Sequence, residues 1–261
     1  MAAVKQNWAL VTGASSGLGV ALATALAARQ SNLILVARRE GPMRELAARL
    51  RDTFGVEAVV EAIDLSEANA AAALADRLDK RGVQVDILVN NAAFGLAGAF
   101  VEHDPERLRS MLSLDIVALT ELTQLFGKRM AARGHGHILL VASLAAYQPT
   151  PLLAAYGAGK AYVLAFGMAL HVELAPKVGV TVLTPGLMNT GFNEVSGFKP
   201  KAGALQRTVL APASVAEIGL DALFAGKSSV VAGRLNGIMA FSTRLMSRHQ
   251  QAKMVLRMSK G

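Results

Sequence analysis

A tyrosine and a lysine, Tyr156 and Lys160, stand four residues apart in a stretch with helical spacing. Four residues are about one turn of an α-helix, so the phenol and the ammonium lie on one face. A neighbouring ammonium favours the phenolate, which would let Tyr156 give a proton to a carbonyl oxygen or take one from an alcohol. Ser143, which directly follows an apolar run, would hold the same oxygen by a hydrogen bond. Such pairs also arise by chance on helices, but Tyr147 and Tyr162 have no lysine four residues further on.

A glycine turn near the start of the chain would place an anion beside these groups. Residues 8–11 are apolar, as in a buried parallel strand, and residues 20–27 are strong helix formers. A strand that turns through glycines into a helix leaves the first N–H groups of that helix free to bind a pyrophosphate. The alternative is a structural turn without a ligand. Three glycines and three hydroxyls favour a nucleotide phosphate site made from Thr12, Gly13, Ser15, Ser16, Gly17, Leu18 and Gly19.

Two arginines follow the second apolar run, residues 32–37. In a dinucleotide-binding fold this strand end faces the adenosine ribose, where a carboxylate suits the 2′-hydroxyl of NAD and an arginine suits the 2′-phosphate of NADP. Arg38 and Arg39 come first and Glu40 only after them. The sequence therefore favours NADP(H), although one of the two arginines is expected to open the next helix on its solvated side.

Polar residues also follow the third and fourth predicted strands. Asp64 and Leu65 end the third strand, and Ser66 is a natural N-cap for the alanine-rich helix that follows. Asp64 either assists that cap or lies at the adenine edge of the cofactor. Asn90 and Asn91 end the fourth strand, where their amides either stabilise the central strands, contact the cofactor, or do both.

Strand and helix patterns alternate along the whole chain, which predicts an α/β fold with a doubly wound parallel sheet. We expect a Rossmann-type, three-layer α/β/α arrangement in a single domain over residues 1–261. A long helix is predicted over residues 108–126 and a shorter one over residues 43–51. The predicted strands cover residues 8–11, 32–37, 56–63, 85–89, 136–142, 180–184 and 228–232.

Pro185 and Gly186 end the sixth strand sharply, and the loop after them would reach the nicotinamide edge of the site. Thr190 is placed to bond a carboxamide. The irregular stretch 187–205 is either a lid over the substrate or an ordinary surface loop, and the sequence does not choose between them.

Composition narrows the function classes further. The chain has no cysteine and its five histidines do not cluster, so neither a thiolate nucleophile nor a metal site is expected. A first strand that begins almost at once leaves no room for a signal peptide, and a cytoplasmic location follows as an expectation.

The net charge is +8, and residues 234–261 are basic. This segment is either a solvated face or a weak contact for a membrane or an acidic carrier protein, and no nucleic-acid partner is expected.

Taken as a set, these motifs resemble those of the short-chain dehydrogenase/reductase family. The resemblance runs from the first strand to about Thr190 and rests on their order and spacing. The motifs are Thr12-Gly13-x-x-x-Gly17-x-Gly19, Asp64-Leu65, Asn90-Asn91-Ala92, Ser143, Tyr156-x-x-x-Lys160 and Pro185-Gly186.

The resemblance implies an NAD(P)(H) cofactor and hydride transfer between it and a carbonyl or alcohol carbon. It implies Tyr156 as acid/base, Lys160 as the residue that bonds the nicotinamide ribose and lowers the pKa of Tyr156, and Ser143 as the residue that positions substrate. It also implies cofactor contacts at Asp64, Asn91 and near Met188. Many relatives form dimers or tetramers through two long helices, here around residues 112–126 and 156–175.

Two residues depart from the family pattern. Ala93 replaces the usual glycine after Asn-Asn-Ala, which is a mild change unless a positive φ is needed. Asp115 stands where the family commonly has an asparagine that holds a proton-relaying water near the lysine. We expect an NADP(H)-dependent reductase of fairly apolar carbonyl substrates, and the alternative is an NADP-binding regulator or scaffold that has lost the chemistry.

Overall fold

Seven parallel strands form one sheet in the order β3-β2-β1-β4-β5-β6-β7. The computed structural model describes residues 7–188, 191–192, 196–197 and 208–260, with the side chains described as far as residue 257. All seven predicted strands are confirmed, and only the third starts noticeably later than predicted. The strands are β1 (Trp8–Thr12), β2 (Asn32–Ala37), β3 (Ala58–Ala62), β4 (Val85–Asn90), β5 (His137–Val141), β6 (Gly179–Thr184) and β7 (Ser229–Val231).

Helices cover both faces of this sheet, because successive side chains of each strand point to opposite faces. Ala9 and Val11 of β1 pack with α1, α2 and α7, whereas Leu10 packs with α3, α5 and α6 on the other face. The predicted three-layer, Rossmann-type arrangement is therefore confirmed. The helices are α1 (Gly17–Ala28), α2 (Glu40–Phe54), α3 (Ala70–Lys80), α4 (Pro105–Leu112), α5 (Leu119–Arg133), α6 (Ala154–Glu173), α7 (Pro212–Phe224), α8 (Arg234–Ser242) and α9 (Arg248–Lys260).

The long helix predicted over residues 108–126 has a break in its hydrogen-bonding pattern. Asp104 begins it by accepting a hydrogen bond from the N–H of Arg107 (2.8 Å), and Gly134, with φ of 81°, ends it. Between α4 and α5 the turn Ser113–Ala118 is π-helical. Such turns are frequent at functional sites, and this one carries Asp115.

Ser66 does not cap the following helix as predicted. Asp64 lies two residues earlier, and its Oδ1 accepts hydrogen bonds from both the N–H (2.9 Å) and the hydroxyl (2.7 Å) of Ser66. Ser66 lies in this local turn, too far before the helix for its hydroxyl to cap the first N–H groups. Helix α3 begins four residues later, with Asn69 in a left-handed conformation (φ 63°) at the N-cap position.

Candidate functional site

The carboxyl ends of β1, β4, β5 and β6 lie at the same edge of the sheet, because all the strands are parallel. The strand order reverses between β1 and β4, and ligands of doubly wound sheets bind in the crevice at such a switch point. The glycine turn, Asn91 and Pro185 directly follow β1, β4 and β6, and Ser143 lies two residues after β5. The topology thus brings together motifs that are far apart in the sequence.

The glycine turn after β1 is held close to the end of β4. Gly13 and Gly17 have positive φ values of 68° and 53°, which favour glycine. A Cβ on Gly13 would lie 2.8 Å from Nδ2 of Asn91, and a Cβ on Gly19 would lie 2.1 Å from the carbonyl oxygen of Gly13. Helix α1 begins at Gly17, and the Ser16 side chain makes no capping hydrogen bond there. The first N–H groups of α1 therefore keep their capacity to bind an anion.

Thr12 and Asn91 join the ends of β1 and β4. The Thr12 hydroxyl donates to the carbonyl of Val89 (3.3 Å) and accepts from the N–H groups of Asn91 and Ala92 (2.9 Å each). The Asn91 amide in turn donates to the carbonyl of Thr12 (2.8 Å). The Thr12 hydroxyl is thus used inside the fold, and not for phosphate as the sequence suggested.

Asn90 points into the core instead of toward the crevice. Its amide donates to the hydroxyl of Thr123 on α5 (2.9 Å) and to the carbonyl of Leu119 (3.4 Å). Of the alternatives left open for the two asparagines, strand stabilisation is therefore observed for both. A cofactor contact at Asn91 stays a prediction.

Both arginines after β2 contact residues that follow neighbouring strands of the sheet. Arg39, at the N-cap position of α2, donates from its guanidinium to the hydroxyl of Ser15 in the glycine turn (3.3 Å). Arg38 Nη1 lies 3.6 Å from Oδ2 of Asp64. Burial raises the pKa of Asp64, but the hydrogen bonds from Ser66 and the charge of Arg38 outweigh it and leave that pKa below its usual value. An anion bound beside Ser15 and Asp64 would face the two arginines. The contact of Arg39 with Ser15 was not predicted from the sequence.

Ser143, Tyr156 and Lys160 meet below this crevice, at the end of β5. Ser143 Oγ accepts a hydrogen bond from the N–H of Ala145 (3.2 Å) at the start of the short 3-10 helix Leu144–Tyr147. Lys160 Nζ donates to the carbonyl oxygen of Val141 (3.2 Å) and lies 5.7 Å from the centre of the Tyr156 ring. The two side chains share one face of α6, as their spacing predicted.

Burial dominates the electrostatics of these groups. It raises the pKa of Tyr156; a hydrogen-bonding interaction with Ser143 opposes the rise and the charge of Asp115 adds to it. The pKa of Lys160 is lowered by burial, against the influence of Asp115. Burial thus gives the chain's own groups a net effect opposite to the expected lowering, and a lowering of the Tyr156 pKa by Lys160 stays a prediction. The chain's own groups hold the phenol protonated, as a proton donor requires.

Asp115 lies behind Lys160 and is itself buried. Its Oδ1 accepts a hydrogen bond from the N–H of Phe94 (3.1 Å), and its Oδ2 lies 3.7 Å from Nζ of Lys160. Burial raises the pKa of Asp115 from 3.8 to about 6, although the Lys160 charge and the Phe94 hydrogen bond oppose the rise. The contact with Phe94 was not predicted, since nothing local in the sequence links these two positions.

Part of the proposed lid contacts Tyr156. The ring centres of Phe192 and Tyr156 are 5.3 Å apart, and the N–H of Ala97 donates to the carbonyl of Ser196 (2.8 Å). A Cβ on Gly95 would lie 3.1 Å from the Phe192 ring, so this glycine leaves room for that ring. Sequence reasoning missed the segment 94–98. Thr190 and most of the predicted lid 187–205 lie outside the described residues.

The loop after β6 is joined to α8. The carbonyl of Pro185 accepts from the N–H of Leu144 (3.0 Å), and Met188 pairs with Leu210 in a single parallel bridge. A Cβ on Gly186 would lie 2.4 Å from Nδ2 of Asn236. Asn236 is buried and was missed by the sequence reasoning. Its signal in the sequence was a single side-chain amide among the apolar residues of α8.

The described residues contain neither a candidate metal cluster nor a candidate membrane-spanning helix. No group of three or more His, Cys, Asp or Glu that could hold a metal ion occurs among residues 7–188, 191–192, 196–197 and 208–260. Within these residues, no helix is both long enough and apolar enough to cross a bilayer.

The fold and the residues at its switch point define a Rossmann-type α/β protein of the nucleotide-binding class. The sequence pattern of the short chain dehydrogenases matches residues 7–199. The chain belongs to the short-chain dehydrogenase/reductase family, which is a family of oxidoreductases. The resemblance inferred from the motifs is thereby confirmed.

Individual relatives agree with this assignment. The probable oxidoreductase EphD of Mycobacterium tuberculosis is 35% identical over 190 residues, which cover 72% of this chain and 32% of that protein. The chain thus spans about a third of the length of this curated relative. A solved 7β-hydroxysteroid dehydrogenase superposes with a TM-score of 0.86 at 26% identity, covering 95% of this chain and 96% of that one. A short-chain dehydrogenase from Sphingobium yanoikuyae in complex with NADPH gives 0.81 at 28% identity, covering 95% and 99%.

Proposed function

We propose that this protein is an NADP(H)-dependent oxidoreductase that reduces a carbonyl group or oxidises the matching alcohol. The observation that carries the proposal is the meeting of Ser143, Tyr156 and Lys160 at the sheet edge that also holds the glycine turn. A phenol, a hydroxyl and a cation at the switch point are the groups that acid/base chemistry on a carbonyl oxygen needs.

The residues present fit a dinucleotide. The glycine turn is packed so closely against Asn91 that a Cβ on Gly13 or Gly19 would not fit, while the N-terminus of α1 keeps uncapped N–H groups for a pyrophosphate. Arg38 and Arg39 favour the 2′-phosphate of NADP over the hydroxyl of NAD. We propose that the cofactor contacts Gly13, Ser15, Ser16, Gly17, Leu18, Arg38, Asp64, Leu65, Asn91, Tyr156, Lys160, Pro185, Gly186, Met188 and Thr190.

When bound, NADPH supplies the hydride. Tyr156, which burial keeps protonated, donates its proton to the substrate oxygen as negative charge develops there. Ser143 donates a hydrogen bond to the same oxygen and fixes its position. We propose that Lys160, whose ammonium is 5.7 Å from the centre of the Tyr156 ring, contributes positive charge beside the phenol and bonds the cofactor ribose.

The substrate side of the proposed site is apolar where it is described. Phe192 covers Tyr156 at 5.3 Å between ring centres, and Gly95 leaves room for it. We therefore propose a fairly apolar carbonyl or alcohol as substrate, with the segment 187–205 as its cover. The structural neighbour named as a 7β-hydroxysteroid dehydrogenase supports this proposal, since its name refers to a hydroxysteroid.

Self-association is proposed through the helices that flank the site. The helices around residues 112–126 and 156–175 carry exposed apolar residues, among them Val117, Met168 and Val172. A homodimer or homotetramer that pairs these helices would bury those residues.

We also propose, from the sequence alone, a cytoplasmic location.

The proposal is tested by following NADPH absorbance with a panel of carbonyl substrates for the wild-type protein and for Tyr156→Phe. We expect turnover by the wild type, a loss of at least about a hundredfold in the variant, and NADPH binding nearly unchanged. Tyr162→Phe, a tyrosine on the same helix whose hydroxyl is 2.8 Å from that of Thr120, is the control and should keep its activity. NADPH binding without turnover on any carbonyl would instead favour the regulator or scaffold that has lost the chemistry.

A further inference from the structure

The segment after β7 presents a row of large apolar side chains to solvent. Helix α8 and the 3-10 turn Thr243–Leu245 that continues it carry these residues at spacings of three and four, so they lie on one face. We call this row the apolar stripe; its members are Leu235, Ile238, Phe241 and Leu245, with exposed fractions of 50%, 65%, 60% and 78%. Single exposed apolar residues are common, but a contiguous row marks a contact surface.

Cations border the apolar stripe, and the sequence contains no Asp or Glu after Asp221. The guanidinium of Arg244 lies 5.8 Å from the centre of the Phe241 ring, directly beside the apolar face. The surface is therefore apolar and positively charged at once. Its exposed cations are Arg234, Arg244, Arg248, Lys253 and Arg257.

Helix α9 adds a groove of the same character. The groove is open, has a volume of about 670 Å³ and is lined by Leu245, Met246, Gln250, Lys253, Met254 and Arg257. Gln251 fixes α9 in place, because its buried amide donates to the carbonyl oxygen of Met246 (2.8 Å) and to that of Thr243. Apolar side chains thus line the groove with a lysine and an arginine at its rim.

The opposite face of α8 is anchored to the body of the protein. Asn236 is buried and donates to the carbonyl oxygens of Ala232 (2.7 Å) and Thr208 (3.3 Å), and it packs against Gly186. Ala240 is buried on the same side. The apolar stripe is therefore the outward face of a firmly held helix.

We propose that this surface, made of the apolar stripe and the groove, docks on a membrane interface that contains anionic lipids. Interfacial elements combine large apolar side chains, which enter the acyl boundary, with Lys and Arg, which pair with anionic headgroups. Both kinds of side chain are present here, on an outward face without a carboxylate from its own segment.

A second copy of the chain fits this surface less well. The common symmetric dimer places the same patch of both subunits against itself, so the five cations of one copy would face those of the other. No acidic residue of this segment would offset that repulsion. Charge complementarity therefore selects an anionic surface as the occupant.

The test is co-sedimentation of the full chain with vesicles of phosphatidylcholine alone and of phosphatidylcholine mixed with phosphatidylserine. We expect binding to the mixed vesicles, little to the neutral ones, and release as salt is raised. Ile238→Ser with Leu245→Ser should remove most of the binding. Arg244→Gln with Lys253→Gln should weaken partitioning about thirtyfold, since each cation near such a surface contributes about a factor of five.

Matched controls change the same residue types on other faces. Phe100→Ser with Val101→Ser removes two exposed apolar side chains, and Lys128→Gln with Lys177→Gln removes two exposed cations. Both should bind like the wild type, and circular dichroism checks that every variant is folded. If the variant with Ile238→Ser and Leu245→Ser is unfolded, the vesicle binding of the variant with Arg244→Gln and Lys253→Gln tests the proposal by itself.

Three results would overturn the proposal. The first is equal or no binding of the wild type to the two vesicle types. The second is a loss in the control variants as large as in the stripe or charge variants. The third is evidence for another occupant. A lower oligomeric mass of the stripe variant by light scattering would assign the surface to a second copy of the chain. Binding of the wild type to soluble polyglutamate without binding to vesicles would assign it to an acidic protein.

Discussion

Oδ2 of Asp115 lies 3.7 Å from Nζ of Lys160, and both side chains are almost fully buried. Burial alone would neutralise both groups, whereas their attraction favours the charged pair. The second oxygen of the carboxyl, Oδ1, is held by the N–H of Phe94. Asp115 therefore links the lysine of the proposed site to the loop that packs against Phe192.

Stability should fall as pH rises through the pKa of Asp115. A pKa raised from 3.8 to about 6 means that the folded state binds the proton more tightly than the unfolded state does. The resulting stabilisation is complete below about pH 4 and is lost by about pH 7, and it amounts to about 3 kcal/mol. Thermal denaturation of the wild type and Asp115→Asn between these pH values should show their stability difference changing in this direction.

Asp64→Asn is the matched control for that experiment. The pKa of Asp64 is lowered in the folded state, so its stabilising contribution is present above the usual carboxyl pKa and is lost only at more acidic pH. The difference between the wild type and Asp64→Asn should therefore stay flat from about pH 5 to 7. A flat difference for Asp115→Asn as well would contradict the raised pKa.

Turnover of Asp115→Asn should be comparable to that of the wild type or better. The amide still accepts the hydrogen bond from Phe94, and it removes a negative charge that raises the pKa of Tyr156. Steady-state rates with NADPH across pH 5 to 8 measure this, and the variant should lose any inflection near pH 6. A collapse of activity at every pH, in a folded variant that binds NADPH, would show that the carboxylate has a specific role.

The elements of the fold could be predicted from the sequence because their signals are local. Apolar runs predicted all seven strands, and a spacing of four residues predicted that Tyr156 and Lys160 share one face of α6. Ser66 was assigned wrongly because it lies in a local turn with Asp64, and the helix begins only at Ala70. The single π-helical turn was missed because it hardly disturbs the apolar spacing of a long helix.

The missing parts of the site are contacts between distant segments. Phe94 contacts Asp115, and Asn236 packs on Gly186, because the sheet brings loops that follow its strands close to helices from other parts of the chain. The burial that raises the pKa of Tyr156 could not be predicted either, since spacing shows the nearby lysine but not how deeply the phenol is buried.

Cofactor preference should depend on Arg39. Its guanidinium bonds the Ser15 hydroxyl in the glycine turn, so it lies where a 2′-phosphate beside that turn would need a cation. Arg39→Gln should raise the KM for NADPH about tenfold or more and leave that for NADH nearly unchanged, as expected for the loss of one charge-assisted hydrogen bond. Arg44→Gln, whose partner is Glu40 one turn away on α2, is the control. Equal KM changes for both cofactors would contradict the NADP assignment.

A methyl group at position 19 should abolish cofactor binding. The Cβ of Gly19→Ala would lie 2.1 Å from the carbonyl oxygen of Gly13, which can move only by pulling the turn away from Asn91. We expect a loss of NADPH affinity of more than a hundredfold and a destabilisation of about 1–3 kcal/mol, the range for overpacking. Gly41→Ala is the control: it lies in α2 with nothing within 4 Å of its Cβ, so it should leave binding unchanged and raise stability by about 0.5–1 kcal/mol. Calorimetric binding and thermal denaturation measure both quantities, and normal affinity in Gly19→Ala would place the dinucleotide away from this turn.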